Sequence, residues 1–366
     1  MIDKLGKSRQ LLLNAFIRPK SLAQLELHEW DLLIRCARSS KLLAALGEKI
    51  ALNCPGMPLP QKVSEQFQAE QQLVEYRKQL VMWELNRLNK ALSELDVDIV
   101  VLKGGAYILL GIPMSTGRLL ADIDILVNKK DIERVEKHLL AQGWRQQAKL
   151  DDYDQHYYRT WMHEIPPLRH RDRFVEVDIH HAILPLTSRL HPDSERLLND
   201  AVNVESTVCK VLSPCDMVLH STVHLFYDAE LNGGDCRDLV DLHELLSYYS
   251  RQDAGFWDKL KNRADELGLQ MPLYYTLYFS SRLLNTKVPE YLLTNNKGRF
   301  AYIGRVLMAY LVPLALLPEH PDYPERKVAF ARWLLYVRAH YLRMPLSLLI
   351  PHLFKKGKKR VELVSN

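Results

Sequence analysis

The chain has 366 residues, 47% of them hydrophobic, and a formal net charge of +5. That length buries a sizeable core and divides into two or three sub-domains, and so mild a charge admits an anionic substrate without implying nucleic acid. Cys36, Cys54, Cys209, Cys215 and Cys236 are odd in number and lack metal spacing, so they read as reduced, packed thiols of a cytoplasmic protein. Met1 to Arg9 is too polar for a secretory signal, and the longest apolar run, Val306 to Leu317, contains Pro313 and falls short of the roughly 20 residues needed to cross a bilayer.

Residues 1–95 read as an N-terminal helical cap. Leu22, Leu25, Trp30, Leu33, Ile34, Leu42, Leu43 and Leu46 recur mostly at spacings of three and four, the mark of helices with one apolar stripe. Asn53 to Pro60 breaks the pattern, and Ser64 to Leu95 forms one long amphipathic helix. Residues 96–185 read as an α/β core. A strand at Ile99 to Leu102, a Lys103-Gly104-Gly105 turn and a short helix at Ala106 to Leu110 lead to a strand at Ile123 to Val127. A helix follows from Asp131 to Gln142, with Gly143 just past its end as a C-cap requires. The polar, aromatic stretch from Trp144 to Arg173 is expected to carry a strand near Gln155 to Arg159, and Phe174 to Ile183 completes a small mixed sheet with helices on one face.

Residues 186–345 read as a C-terminal helical domain. Ser213 caps a helix with Pro214 in its first turn, Asn232-Gly233-Gly234-Asp235 is a turn, and helices are expected at Arg237 to Tyr249, Phe256 to Leu267, Pro272 to Leu284, Arg299 to Leu317 and Pro324 to Leu342. Residues 346–366 form a basic tail. The Lys355 to Arg360 run reads first as a solvated segment, and more sharply as a weak, peripheral contact with an anionic membrane. The fold class is α+β, mostly helical.

Chemistry gathers on the strands. Alternation puts Asp122 and Asp124 on one face and Ile123 and Ile125 on the other. Two carboxylates that close need a divalent metal, a pair of cationic side chains or a shared proton, and oxygen ligands favour Mg²⁺ or Mn²⁺. The later strand again alternates, with Glu176, Asp178 and His180 opposite Val175, Val177 and Ile179, so Asp178 offers a third carboxylate for two metal ions. Glu176 is a weaker fourth ligand, and His181 faces the other way. Gly104 and Gly105 let backbone approach a phosphate. Arg237 and Asp241 suit an i, i+4 ion pair beside Asp238, and His220 and His224 suit a metal pair for which the sequence offers no third ligand.

These motifs resemble the nucleotidyltransferases of the DNA polymerase beta type, which carry a Gly-Gly or Gly-Ser turn, then Asp-x-Asp, then a lone later Asp. They are most similar to the bacterial uncharacterised nucleotidyltransferase branch, with its Leu-Lys-Gly, Arg-x-x-x-Asp-x-Asp-x-Leu-Val and Asp-x-His. The matching stretches are Leu102-Lys103-Gly104, Arg118 to Val127 and Asp178-Ile179-His180. Gly105 and Asp122 stand further apart than in the compact pattern, through extra residues around Ile112-Pro113-Met114-Ser115.

The resemblance implies a polymerase-beta-like core and an enzyme that moves a nucleoside monophosphate from an NTP, ATP being the expected donor, to a small molecule, sugar, protein side chain or tRNA end. Asp122 and Asp124 would share two Mg²⁺ ions and Asp178 would hold one of them. Gly104 and Gly105 would meet the triphosphate, Lys103 and Arg118 would either meet it too or form a salt bridge that balances the acidic cluster, and His180 would support the Asp178 carboxylate, contact substrate or sit as a satisfied core histidine. Replacing Asp122 and Asp124 together by Asn is expected to abolish transfer and leave the sheet folded, since it removes repulsion. A silent nucleotide-binding or antitoxin-like member of the same fold is the main alternative. A phosphohydrolase lacks its usual His-Asp metal motifs here, and no stable nucleic-acid partner is expected, although a tailing enzyme would use the aromatics between Tyr153 and Arg173.

Overall fold

The computed structural model describes residues 6–146, 150–205, 207, 209–294 and 299–365, and side chains throughout these except 299–302 and 356–365. Helices α1 (Lys7–Ile17), α2 (Leu27–Ser39), α3 (Leu43–Asn53) and α4 (Gln61–Leu92) open the chain. Their stripes are buried as the periodicity requires: Leu33 and Leu46 are fully enclosed.

The middle of the chain builds the sheet. Strand β1 (Val100–Val101) runs into α5 (Lys103–Leu109), and a 3₁₀ turn at Pro113–Gly117 leads to β2 (Asp122–Leu126). Helix α6 (Ile132–Ala141), β3 (Trp144–Gln146), α7 (Asp152–Trp161), β4 (Leu168–His170) and β5 (Glu176–His180) follow, then α8 (Ser194–Asn199), β6 (Val202–Asn203) and β7 (Lys210–Val211). The seven strands lie in the order β3-β4-β5-β2-β1-β7-β6, with β2 parallel to β5 and β1 parallel to β7. Helices α4, α5 and α6 pack on this sheet, and Gly143 after α6 takes φ +106, the left-handed geometry expected of a C-cap.

The strand expected near Gln155 to Arg159 is instead helix α7. Asp151 accepts the Asp154 amide at 2.8 Å, and this N-cap outweighs the strand preference of the Tyr and Trp residues that follow. Five of the seven strands (β1, β3, β4, β6 and β7) are two or three residues long, and in the last four no longer apolar run marks the strand. Two of them come from beyond residue 185, so the sheet extends into the stretch read as purely helical.

Helices α9 (Pro214–Val223), α10 (Cys236–Gln252), α11 (Phe256–Glu266), α12 (Gln270–Leu284), α13 (Glu290–Leu293), α14 (Arg299–Leu316), α15 (Arg326–Arg343) and α16 (Leu346–Ser365) complete the fold. The tail is therefore helical over Leu346–Ser365, and the side chains of 356–360, most of the basic run, lie outside the described residues. His352 pins α16 to α7, stacking 4.8 Å from the Tyr157 ring and sharing a 2.9 Å hydrogen bond with the Tyr153 hydroxyl. One continuous cluster of buried apolar side chains runs from Leu12 to Leu335. At its periphery Arg9 of α1, almost wholly buried, reaches Glu325 at 2.7 Å. All five cysteines are free.

Candidate active site

Register decides which side chains meet. Parallel pairing of β2 with β5 sets Asp122 beside Glu176, Asp124 beside Asp178 and Leu126 beside His180. Ile123, Ile125, Val177 and Ile179, on the opposite face, are fully buried and lock that register. The three aspartates thus share one face, which passes from exposed Asp122 to buried Asp124.

Lys103 stands at the corner between β1 and α5 with φ 44, a left-handed conformation rare for a side chain with a Cβ. Its Nζ donates to Asp124 Oδ1 at 2.9 Å. The expected glycine turn is the first turn of α5, and both glycines are buried in it. A Cβ on Gly104 would fall 2.2 Å from Leu120 Cδ2 and 2.9 Å from Arg118 Nε, and one on Gly105 2.8 Å from Val101 Cγ1. Packing alone therefore demands glycine here. The extra residues before Arg118 form the 3₁₀ turn, whose Gly117 lies so close on α3 that a Cβ would meet Ala45 Cα at 2.7 Å.

His180 supports Asp124 rather than Asp178. Its Nε2 lies 3.0 Å from Asp124 Oδ1, while Nδ1 is 3.5 Å from Glu164 Oε2. Burial works to raise the Asp124 pKa, but Lys103 and His180 outweigh it and hold this carboxylate well below the usual range. Burial would likewise lower the pKa of His180, and its bond to Asp124 reverses the sign. Asp178 is the opposite case: burial, then the charges of Asp124 and Glu164, push it up to about 7. Its Oδ1 is buried without a hydrogen-bond partner. An orphaned carboxylate oxygen beside a second carboxylate is the arrangement a hard divalent cation relieves, so these donors fit Mg²⁺ or Mn²⁺.

Arg118 does not join this face. It is buried, ion-paired with Asp241 of α10, and its guanidinium lies 5.3 Å from the Tyr107 ring centroid. The expected Arg237–Asp241 pair is not formed; Arg237 donates to the Leu119 carbonyl at 2.7 Å. Arg118 and Asp241 line a crevice with Lys103, His224 and Asp238. Both also line a neighbouring cavity of about 280 Å³, together with Lys49, Arg237 and Glu244. Nor do His220 and His224 make a metal pair, because His224 turns to Asp238, 3.5 Å away, and His220 is buried.

Several site residues escaped the sequence reading. His163 and Glu164 arrive through a single antiparallel bridge between Glu164 and His180, and the donors of His163, Glu164 and His180 lie within 4.8 Å of one another. Asp228 sits on a π-helical turn, His224–Asp228, 3.9 Å from His163 Nε2. Neither feature leaves a periodic signal. An adjacent His-Glu in a polar, aromatic stretch was the one available hint.

Burial drives the pKa of His163 down to about 3 and that of His220 well below the usual histidine value. A histidine depressed this way stays neutral when folded, so stability falls once pH drops beneath the unfolded value near 6.5 and keeps falling toward the folded one. For His163 the loss at pH 5 is about 2 kcal/mol, and His220 adds in the same direction. Asp178 offsets part of it, gaining stability as pH falls through 7. Comparing parent with His163→Gln in unfolding experiments at pH 7 and pH 5 isolates the histidine. Parallel pH profiles for the two proteins would contradict a buried neutral imidazole.

No curated protein and no solved structure matches the chain. A family model described as uncharacterised nucleotidyltransferase matches residues 26–285. That stretch runs from the start of α2 to the end of α12 and contains every residue of the acidic face, its lysine corner and the crevice behind it. With the sheet register and the family model in agreement over most of its length, the chain belongs to the uncharacterised nucleotidyltransferase family.

Proposed function

We propose that the protein transfers a nucleoside monophosphate from an NTP, ATP being the expected donor, to an acceptor hydroxyl or phosphate in an Mg²⁺-dependent reaction. The observation that supports this most is the convergence of Asp122, Asp124 and Asp178 on one sheet face, with a buried, partnerless oxygen on Asp178. These three carboxylates would hold the cation. When bound, Mg²⁺ neutralises triphosphate charge and polarises the phosphorus under attack.

The chain's own groups do the rest. Lys103 and His180 both grip Asp124 Oδ1, which fixes that carboxylate and leaves Oδ2 outside both bonds. Lys103 is the cation nearest the acidic face, and Gly104 and Gly105 let α5 begin hard against the sheet, so this corner meets the polyphosphate. Arg118, held by Asp241, backs it with a second positive charge. In the transfer step the acceptor oxygen forms a bond to the α-phosphorus. The bond from that phosphorus to the α,β-bridging oxygen breaks, pyrophosphate leaves, and the acceptor proton passes to Asp178.

Incubation with each α-labelled NTP, Mg²⁺ and fractionated metabolites, proteins or tRNA tests the reading by label transfer and pyrophosphate release. One observation favours a second reading, a silent nucleotide-binding or antitoxin-like member: Lys103 already neutralises Asp124. Saturable nucleotide binding with no pyrophosphate release in any fraction would establish that reading and overturn transfer.

A further inference from the structure

Most of the exposed large apolar side chains among the described residues belong to the last three helices and the turn between the first two of these. On α14 they are Ile303, Val306, Leu307 and Tyr310, spaced as one stripe of a helix. On α15 Phe330, Trp333, Val337 and Tyr341 repeat the pattern, with Phe330 and Trp333 stacked at 6.0 Å. On α16 Leu346, Ile350, Leu353 and Phe354 do so again. Trp333 is 57% exposed and Phe354 76%. The opposite side of α15, at Val328, Ala331, Leu335 and Ala339, is fully buried, so the helix is apolar on both sides and only one is used by the fold. Apolar surface on this scale marks a contact with something else.

Charge identifies the contact. From Arg326 to Val361 the sequence holds ten Lys and Arg and no Asp or Glu; Lys327 and Arg332 pair with Glu325 and Glu319 and Arg338 turns inward to the Phe226 carbonyl, so the other seven carry the excess positive charge. A second copy of this chain would bring the same positive charge against itself, which disfavours self-association through this face. Nucleic acid would suit the charge and the aromatic rings, but it gains little from Ile303, Val306, Leu307, Val337, Leu346, Ile350 and Leu353, which cannot stack on bases as rings do. Aliphatic stripes with Trp and Tyr beside a run of Lys and Arg match the layered chemistry of an anionic bilayer surface: hydrocarbon, then the interface, then phosphate. Among the described residues no helix is long and apolar enough to cross a membrane.

We propose that α14, α15 and α16 form a peripheral foot that rests on an anionic lipid surface, with the apolar stripes entering the headgroup boundary and the Lys355 to Arg360 run meeting lipid phosphates. The inference stands apart from the transfer reading, since none of these residues belongs to the acidic face.

The test is co-sedimentation of the full chain with vesicles of phosphatidylglycerol and phosphatidylcholine in equal parts, against vesicles of phosphatidylcholine alone. Binding to the first and not the second is expected, weakening as salt rises. A variant carrying Lys356→Gln, Lys358→Gln, Lys359→Gln and Arg360→Gln should lose at least about tenfold in vesicle affinity. Phe330→Ser with Trp333→Ser should also lose binding while keeping the parent's circular dichroism and unfolding midpoint, since both rings are exposed. Failure to sediment with anionic vesicles at low salt overturns the proposal. So does equal binding to both vesicle types, or a solution dimer that Trp333→Ser dissolves, which would assign the face to a second copy.

Discussion

Replacing Asp178 by Asn is expected to give a protein that is more stable and inactive. Transfer should fall at least about 10³-fold, because in the proposed reaction the change removes a carboxylate that would hold the cation and accept the acceptor proton. Stability moves the other way. The folded carboxyl is raised to about 7, by burial first and by Asp124 next, so between the unfolded value of 3.8 and 7 the folded chain takes up a proton that the unfolded chain does not. Ionising Asp178 therefore costs stability as pH rises through this window, and the cost is complete above pH 7. Asparagine removes it, a gain of up to about 4 kcal/mol at pH 8 without divalent ions. Added Mg²⁺ should raise the unfolding midpoint of the parent and leave the variant unmoved.

Asp124→Asn has no such clean reading. Asp124 is held low by Lys103 and His180, so removing its charge strips the counter-ion from a largely buried lysine. The expectation that Asn at 122 and 124 together leaves the sheet undisturbed does not survive this geometry, because attraction at Asp124 outweighs repulsion. Asp178 is the position that separates chemistry from folding. An Asp178→Asn protein that keeps transfer within about tenfold of the parent, or that unfolds, would show the face to be structural.

The elements that could be read in advance were those with many residues repeating one rule. The helix placed at Ser64 to Leu95 is α4, Gln61–Leu92, because a long amphipathic stripe tolerates a few errors. The acidic face was readable because alternation on two strands is a short-range rule, and Ile123, Ile125, Val177 and Ile179 state it without ambiguity. What joins the face from a distance was not. Glu164 is set by one backbone bridge, Asp228 by a π-helical turn, and Arg118 is paired with a carboxylate more than a hundred residues later. A partner chosen in three dimensions leaves no mark on local spacing. The aromatic run Tyr153 to Trp161 forms a helix and not the expected strand for a related reason: strand preference belongs to side-chain packing on a sheet, whereas the Asp151 cap satisfies a helix-end amide locally.

Glu84 is where the largest loss of stability is expected. It lies on the sheet-facing side of α4, its side chain 1% exposed, and ties that helix to the edge of the sheet. Arg173, just past β4, donates to both of its oxygens, and the Trp144 indole N–H of β3 donates to Oε1 at 3.1 Å. The Arg173 guanidinium also covers the Trp144 ring at 4.6 Å. One carboxylate thus satisfies a guanidinium and an indole that have little water to turn to. Glu84→Ala leaves both donors buried and should cost about 3–5 kcal/mol in urea unfolding. Glu84→Gln keeps one acceptor oxygen and should cost less. Replacing the pair together, Glu84→Leu with Arg173→Leu, should recover part of the loss of the single change, because desolvation of the two charges is then avoided. The penalty thus belongs to the stranded arginine more than to the contact itself. If Glu84→Ala falls within about 0.5 kcal/mol of the parent, α4 is held to the sheet by its apolar stripe alone and this polar link contributes nothing to stability.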